Sequence, residues 1–142
     1  MAIVQTQTTI FKQNLLSGVE NFTSNSPYVY KIALYNGNAS LDNTTLAYTT
    51  TNEVTGTGYT AGGLVLTPSV ISSDNTNNTA YVSFNNVTWS PASFVTSGAL
   101  IYNSTTNAAV FILNFGSVKT ATNTFTITFP TATSSSAVLR IS

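Results

Sequence analysis

Acid–base and nucleophilic chemistry needs a histidine, a cysteine, or carboxylates tuned against one another. The 142-residue chain has no His and no Cys, and its only side-chain acids are Glu20, Asp42, Glu53 and Asp74. Ser-His-Asp and Cys-His arrangements are therefore excluded. Spacing alone does not exclude a glycosidase-type pair such as Asp42 with Asp74, because folding can bring distant carboxylates together. Both stand in Asn/Thr-rich segments, where Asp ordinarily closes an Asx turn, and that is the reading adopted. Calcium is the metal best suited to carboxylate and amide oxygens. The run Asp74-Asn75-Thr76-Asn77 offers such oxygens but lacks the glycine and distal Glu of a calcium loop. Gly56, Gly58, Gly62 and Gly63 do not join a strand to a helix, so they imply turns with positive φ and no phosphate cradle. The expectation is a non-enzyme with no cofactor and no metal.

Aromatic side chains are the remaining candidates. Tyr28, Tyr30, Tyr35, Tyr48, Tyr59, Tyr81, Tyr102 and Trp89 could stack on sugars or anchor an interface. They could also fill a core with the polar tip on a partner. For Trp89, just before Ser90-Pro91, a core or subunit contact is favoured over a ligand contact.

Composition narrows the function classes. Charged residues make up 6% of the chain and the formal net charge is zero, while Thr, Ser and Asn supply 59 residues. The exterior must then be hydroxyl and amide, and a neutral surface favours association. Lys12, Lys31, Lys119 and Arg140 are scattered, so no phosphate-neutralising stripe forms and nucleic acid is not an expected partner. No stretch approaches the ~18 apolar residues that a membrane span needs. The first eight residues show neither the basic nor the apolar region of a signal peptide, and synthesis in a cytoplasm is expected.

The elements read as one all-β domain. Residues 1–9 are polar except Ile3 and Val4 and suggest an N-terminal arm, ahead of a β-sandwich domain over 10–142. Phe11, Leu15, Leu16 and Val19 share one face of a short helix over about 9–18, capped by Thr8 or Thr9. Strands are predicted over Tyr28–Tyr35, from Leu64 to a stop near Pro68, and over Ala80–Phe84 and Val87–Trp89. Ser97–Tyr102 and Ala108–Leu113 read as a hairpin. Both runs are apolar on both faces, which places them centrally. Thr124–Phe129 alternates, with Phe125, Ile127 and Phe129 on one face, and Val138–Ile141 ends the set. About eight short antiparallel strands with frequent turns indicate a β-sandwich. A Gly/Thr-rich loop over 49–63 is the kind that is functional or wrapped on a neighbour.

Several runs together carry a resemblance. They are Phe11–Gly18, Phe22-Thr23, Tyr30–Tyr35, Gly98–Asn103, Phe115-Gly116-Ser117 with Phe125-Thr126-Ile127, and, most specifically, Ala47–Gly63. Over nearly its whole length the chain resembles small tailed-bacteriophage structural proteins, the capsid cement or decoration subunits with a jelly-roll-like fold. That resemblance implies a place on the outer surface of the virion capsid. It also implies the major capsid protein as partner, contacts to self as a homodimer or homotrimer, and no catalytic residues. The bridging elements expected are the arm, through Ile3 and Val4, and the loop, through Val54 and Tyr59, with Tyr48 and Trp89 as further contacts. The arm is expected to gain order on docking. The rival is a tail-fibre or receptor-binding module in which Tyr59, Tyr81 and Trp89 stack on host glycan.

Overall fold

Alternation of apolar and hydroxyl side chains makes most of the chain strand. The computed structural model describes residues 2–142. Its elements are β1 (Thr6–Gln7), α1 (Thr9–Leu16), β2 (Tyr30–Tyr35), β3 (Leu64–Leu66), β4 (Pro68–Asp74), β5 (Thr79–Phe84), β6 (Val87–Trp89), β7 (Phe94–Asn103), β8 (Ala108–Ala121), β9 (Phe125–Ile127) and β10 (Leu139–Ile141). All the strand pairs are antiparallel. A five-stranded sheet runs β1-β8-β7-β2-β3 and faces a layer made of two smaller sheets, β10-β5-β4 and β6-β9. The architecture is an all-β, sandwich-like single domain with one short helix.

The central hairpin β7–β8 sits where its two-sided apolarity demands. In one row of the five-stranded sheet Ile32 pairs Ile101, which pairs Phe111. This row faces the main core with Leu66 of the same sheet and with Val82, Phe84, Trp89, Ile127 and Leu139 from the opposite layer. The next row, Ala33–Leu100–Ile112, faces the other way. It builds a second core with Tyr35, Ala39, Leu41 and Ile3. Burying each large aliphatic or aromatic chain contributes about 1.5–3 kcal/mol, so covering both faces makes this sheet the most heavily stabilised part. Two register shifts, at Thr96/Gly98 and Ile101/Tyr102, bend the hairpin.

The helix follows from its cap. Thr8 is fully buried, its hydroxyl accepts from the Phe11 N–H at 3.2 Å, and it donates to the Ala109 carbonyl at 2.9 Å. Phe11, fully buried, packs its ring 4.8 Å from that of Phe111. Gly18 at φ +76° follows the C-cap Ser17 and closes the last turn. Of the predicted apolar face, Leu15 packs on the core but Leu16 is 90% exposed.

Ten strands replace the eight expected, and the two additions share a cause. The strand from Leu64 does stop before Pro68, at Leu66, but Pro68 itself opens a further strand, β4, because the first residue of an edge strand needs no ladder N–H. β1 lies inside the expected arm, where two polar residues pair Ile112 and Phe111. An edge strand with little apolar content leaves almost no periodic signal.

Candidate functional site

The loop after β2 is built around a carboxylate. The edge of β2 away from β7 is paired by β3 at Tyr30–Ile32. Farther along the same edge, the Val54 N–H donates to the Leu34 carbonyl at 2.9 Å and the Asn36 N–H to the Asn52 carbonyl at 3.0 Å. Between these pieces the Leu34 N–H donates to the Tyr59 hydroxyl at 2.9 Å, so a phenol stands where a strand carbonyl would. That hydroxyl donates onward to Glu53 Oε1 at 2.6 Å. Oε1 also accepts the Gly62 N–H at 2.7 Å, and Oε2 accepts the Tyr48 hydroxyl at 2.7 Å. These are short, charge-assisted bonds to a carboxylate that is only 8% exposed. Tyr102 fastens the far side of the loop, its hydroxyl donating to the Gly62 carbonyl at 2.8 Å. Tyr35 fastens the near side, donating to the Thr49 carbonyl at 2.6 Å.

Two glycines let the loop lie this close. At Gly63, φ +77°, a Cβ would stand 1.7 Å from the Ile32 carbonyl oxygen. At Gly58, φ +83°, it would stand 1.8 Å from that of Pro91. Positive φ and contact with backbone both require glycine there.

The electrostatics keep the phenols protonated. Burial, then the hydrogen bond to Glu53, pushes the Tyr59 and Tyr48 hydroxyls well above the ordinary tyrosine range. Burial, then the charge of Glu53, does the same to Tyr35 and raises Tyr102 to about 12. Donors held this firmly clamp a loop; they are poor bases and poor nucleophiles.

A second buried carboxylate, Glu20, is less well served. Its Oε2 accepts the Tyr30 hydroxyl at 2.6 Å and the Asn103 amide at 3.3 Å, whereas its buried Oε1 has no hydrogen-bond partner. Burial, then the bond to Glu20, raises the Tyr30 phenol far above its usual range. The two aspartates hold turns: the Thr44 N–H donates to Asp42 at 2.8 Å and the Thr76 N–H to Asp74 at 2.9 Å. The Thr44 hydroxyl lowers the Asp42 carboxyl, and the Ser134 hydroxyl followed by Asn77 lowers Asp74 to about 2. Among the described residues, no group of three or more Asp or Glu is placed to hold a metal ion.

The residues singled out in the sequence separate into three environments. Tyr48 and Tyr59 meet at Glu53, and Val54 is buried beneath the same loop. Trp89 is buried in the main core, stacked on Tyr59 at 6.2 Å with Phe125 at 6.0 Å, and its indole N–H has no partner. Ile3 is buried in the second core while Val4 is half exposed. Tyr59, Tyr81 and Trp89 do not form one open aromatic face: the first two lie in different sheets' surroundings, and Trp89 is covered.

The arm differs from expectation. It is ordered within the single chain: the Val4 N–H donates to the Leu41 carbonyl at 2.8 Å, the Leu41 N–H to the Ala2 carbonyl at 3.0 Å, and β1 completes the sheet edge. Gly98 makes room for it, since a Cβ there would lie 2.8 Å from the Ile3 Cδ1. Main-chain pairing, invisible to a hydropathy pattern, holds a segment with only two apolar residues. Glu53 and Glu20 were not singled out by sequence reasoning. The available signal was a Glu, a poor turn residue, set in a Thr/Gly loop with Tyr48 and Tyr59 on either side.

The chain matches no protein-family model, no curated protein and no solved structure.

Proposed function

We propose that this chain is a bacteriophage capsid cement, or decoration, protein that binds the outer face of the major capsid protein shell and stabilises the mature head. The observation that carries this reading is the exterior. Four cations and four acids serve the whole chain, while Leu16, Leu46, Val65, Ile71 and Val118 are each more than half exposed. A surface so poor in charge has little to oppose lodging against neighbours. The polar chemistry agrees: the best-made polar site fastens a loop and offers solvent no reactive group. The sequence resemblance supplies the partner. Bridging would work by area, each copy burying a standard interface of about 1,200–2,000 Å² against shell subunits or its own mate. Repetition around a shell lets each contact be modest. Neighbours of the same kind, in a homodimer or homotrimer, belong to this reading; nucleic acid does not, for want of cations.

Quantitative gel densitometry of purified particles tests it. The expected result is a copy number comparable with that of the shell protein. A few copies per particle would move the chain to the tail-fibre or receptor-binding reading, and absence from particles would end the proposal.

A further inference from the structure

Asparagine is abundant in this chain, and Asn36 alone among the asparagines is followed by glycine. The pair lies just past β2, in a turn closed by the Ala39 N–H donating to the Asn36 carbonyl at 3.1 Å. Gly37 is exposed to solvent. The path of the chain does not require glycine there. Its φ lies outside the left-handed region, and a Cβ would meet only the Ser97 side chain, with Oγ at 3.3 Å. The missing side chain does leave the Gly37 nitrogen unshielded. The Asn36 Oδ1 accepts the Asn38 N–H at 2.9 Å. Among the described residues, neither the Asn36 side-chain NH2 nor the Gly37 N–H has a hydrogen-bond partner.

We infer that Asn36-Gly37 is a site of spontaneous modification, at which Asn36 converts to aspartate and isoaspartate through a succinimide ring. The Gly37 nitrogen, once it has given its proton to solvent base, attacks Asn36 Cγ. The new N–C bond closes the ring, and the side-chain nitrogen leaves as ammonia. Water then adds to either ring carbonyl and opens it, so water is consumed, ammonia is released and no oxidant is needed. Attack places negative charge on Oδ1, and the Asn38 N–H already stands on that oxygen. Other asparagines lack this combination. Asn103 is fully buried, its Oδ1 holds the Thr105 and Thr106 N–H groups, and its amide donates to Glu20. Asn25 is exposed but precedes Ser26, whose Cβ shields the attacking nitrogen. Opening toward aspartate keeps the path of the chain and adds one acid to the four it has. Opening toward isoaspartate adds a methylene to the main chain of a turn stitched to Asn52. There the Asn36 N–H donates to the Asn52 carbonyl at 3.0 Å, and the Asn52 amide to the Asn38 carbonyl at 3.1 Å. This reactivity belongs to the chain alone and holds whatever the chain binds.

The test holds the folded, full chain in mildly alkaline heavy-oxygen water at physiological temperature and follows it by peptide mapping. The label marks conversion during the incubation: the Asn36 peptide should gain about three daltons, against about one in ordinary water. Isoaspartate-specific enzymatic methylation should label the same peptide. Conversion at Asn36 should be at least about ten-fold faster than at Asn25, and Gly37→Ala should slow it at least about ten-fold. The circular dichroism of Gly37→Ala should match that of the unaltered chain, since its Cβ meets only the Ser97 side chain. No mass gain at Asn36, conversion at Asn25 as fast, or an undiminished rate in Gly37→Ala would overturn the inference. Aspartate formed without isoaspartate would also overturn it, because direct hydrolysis bypasses the ring. If Gly37→Ala does not fold, the isoaspartate label and the ranking of Asn36 over Asn25 in the unaltered chain decide the matter. No capsid enters this experiment, so its failure is separable from failure of the copy-number test.

Discussion

The surroundings of Glu53 and of Glu20 solve the same problem to different degrees. Each is a buried carboxylate met by a tyrosine hydroxyl. Around Glu53, two phenols and a backbone N–H engage both oxygens, and the result pins a glycine-rich loop to the edge of the best-packed sheet. Around Glu20, two donors share one oxygen beside an open groove. A buried carboxylate served on both oxygens fixes a loop in place, and one served on a single oxygen holds its neighbours less firmly. The same contrast holds for the layers: the paired core of β2, β7 and β8 is covered on both faces, while the small sheet leaves Ile71 and Ile141 half in water.

Removing the better-served acid should cost most. Glu53→Ala strands two buried hydroxyls and a backbone N–H, and a loss of about 3–5 kcal/mol is expected in denaturant unfolding. Gly63→Ala should follow, at about 2–4 kcal/mol, because it combines a left-handed backbone with a clash against the Ile32 carbonyl. Glu20→Ala should cost less, about 1–3 kcal/mol, since one of its oxygens has nothing to lose. A Glu20→Ala loss equal to that of Glu53→Ala would erase the distinction between the two sites.

The hairpin β7–β8 was readable in advance because two-sided apolarity leaves a central strand few alternatives. The helix was readable from Thr8 and Phe11, and the alternation of Phe125, Ile127 and Phe129 placed β9. What was not readable depends on partners distant in sequence. Nothing local says that Thr6 and Gln7 will pair with Phe111 and Ile112, nor that Tyr59 will reach across to Leu34 and Glu53. The arm is not an appendage that docking alone would order. Deleting 2–9 instead removes Ile3 from the second core and the Thr8 cap from α1, so lower thermal stability is expected alongside any loss of docking.

Titration should sharpen the contrast further. The phenols around Glu53 have values raised above the ordinary 10.0, so the fold favours their protonated form. Their contribution is complete below pH 10 and is lost as pH rises through the raised values, Tyr102 at about 12 among them. Stability followed by circular dichroism should therefore begin to fall above pH 10. Tyr59→Phe, which removes one of these phenols, should soften that limb. Asp74 has the opposite sign: its lowered value gives a contribution present above 3.8 and lost as pH falls toward about 2. This aspartate is half-buried at a surface turn, so Asp74→Asn should lower stability at neutral pH only slightly, the smallest effect of the set.

The patchwork along β2 has one more consequence. An open strand edge is a template for runaway stacking, and many proteins guard it with lysines. Here the guard is covalent chain: β3, residues 52–54 and a single phenol take turns along the ribbon. Dissolved ions screen a charged fence but do nothing to a steric one. The protein's resistance to clumping along this border should therefore be the same in dilute buffer and in brine.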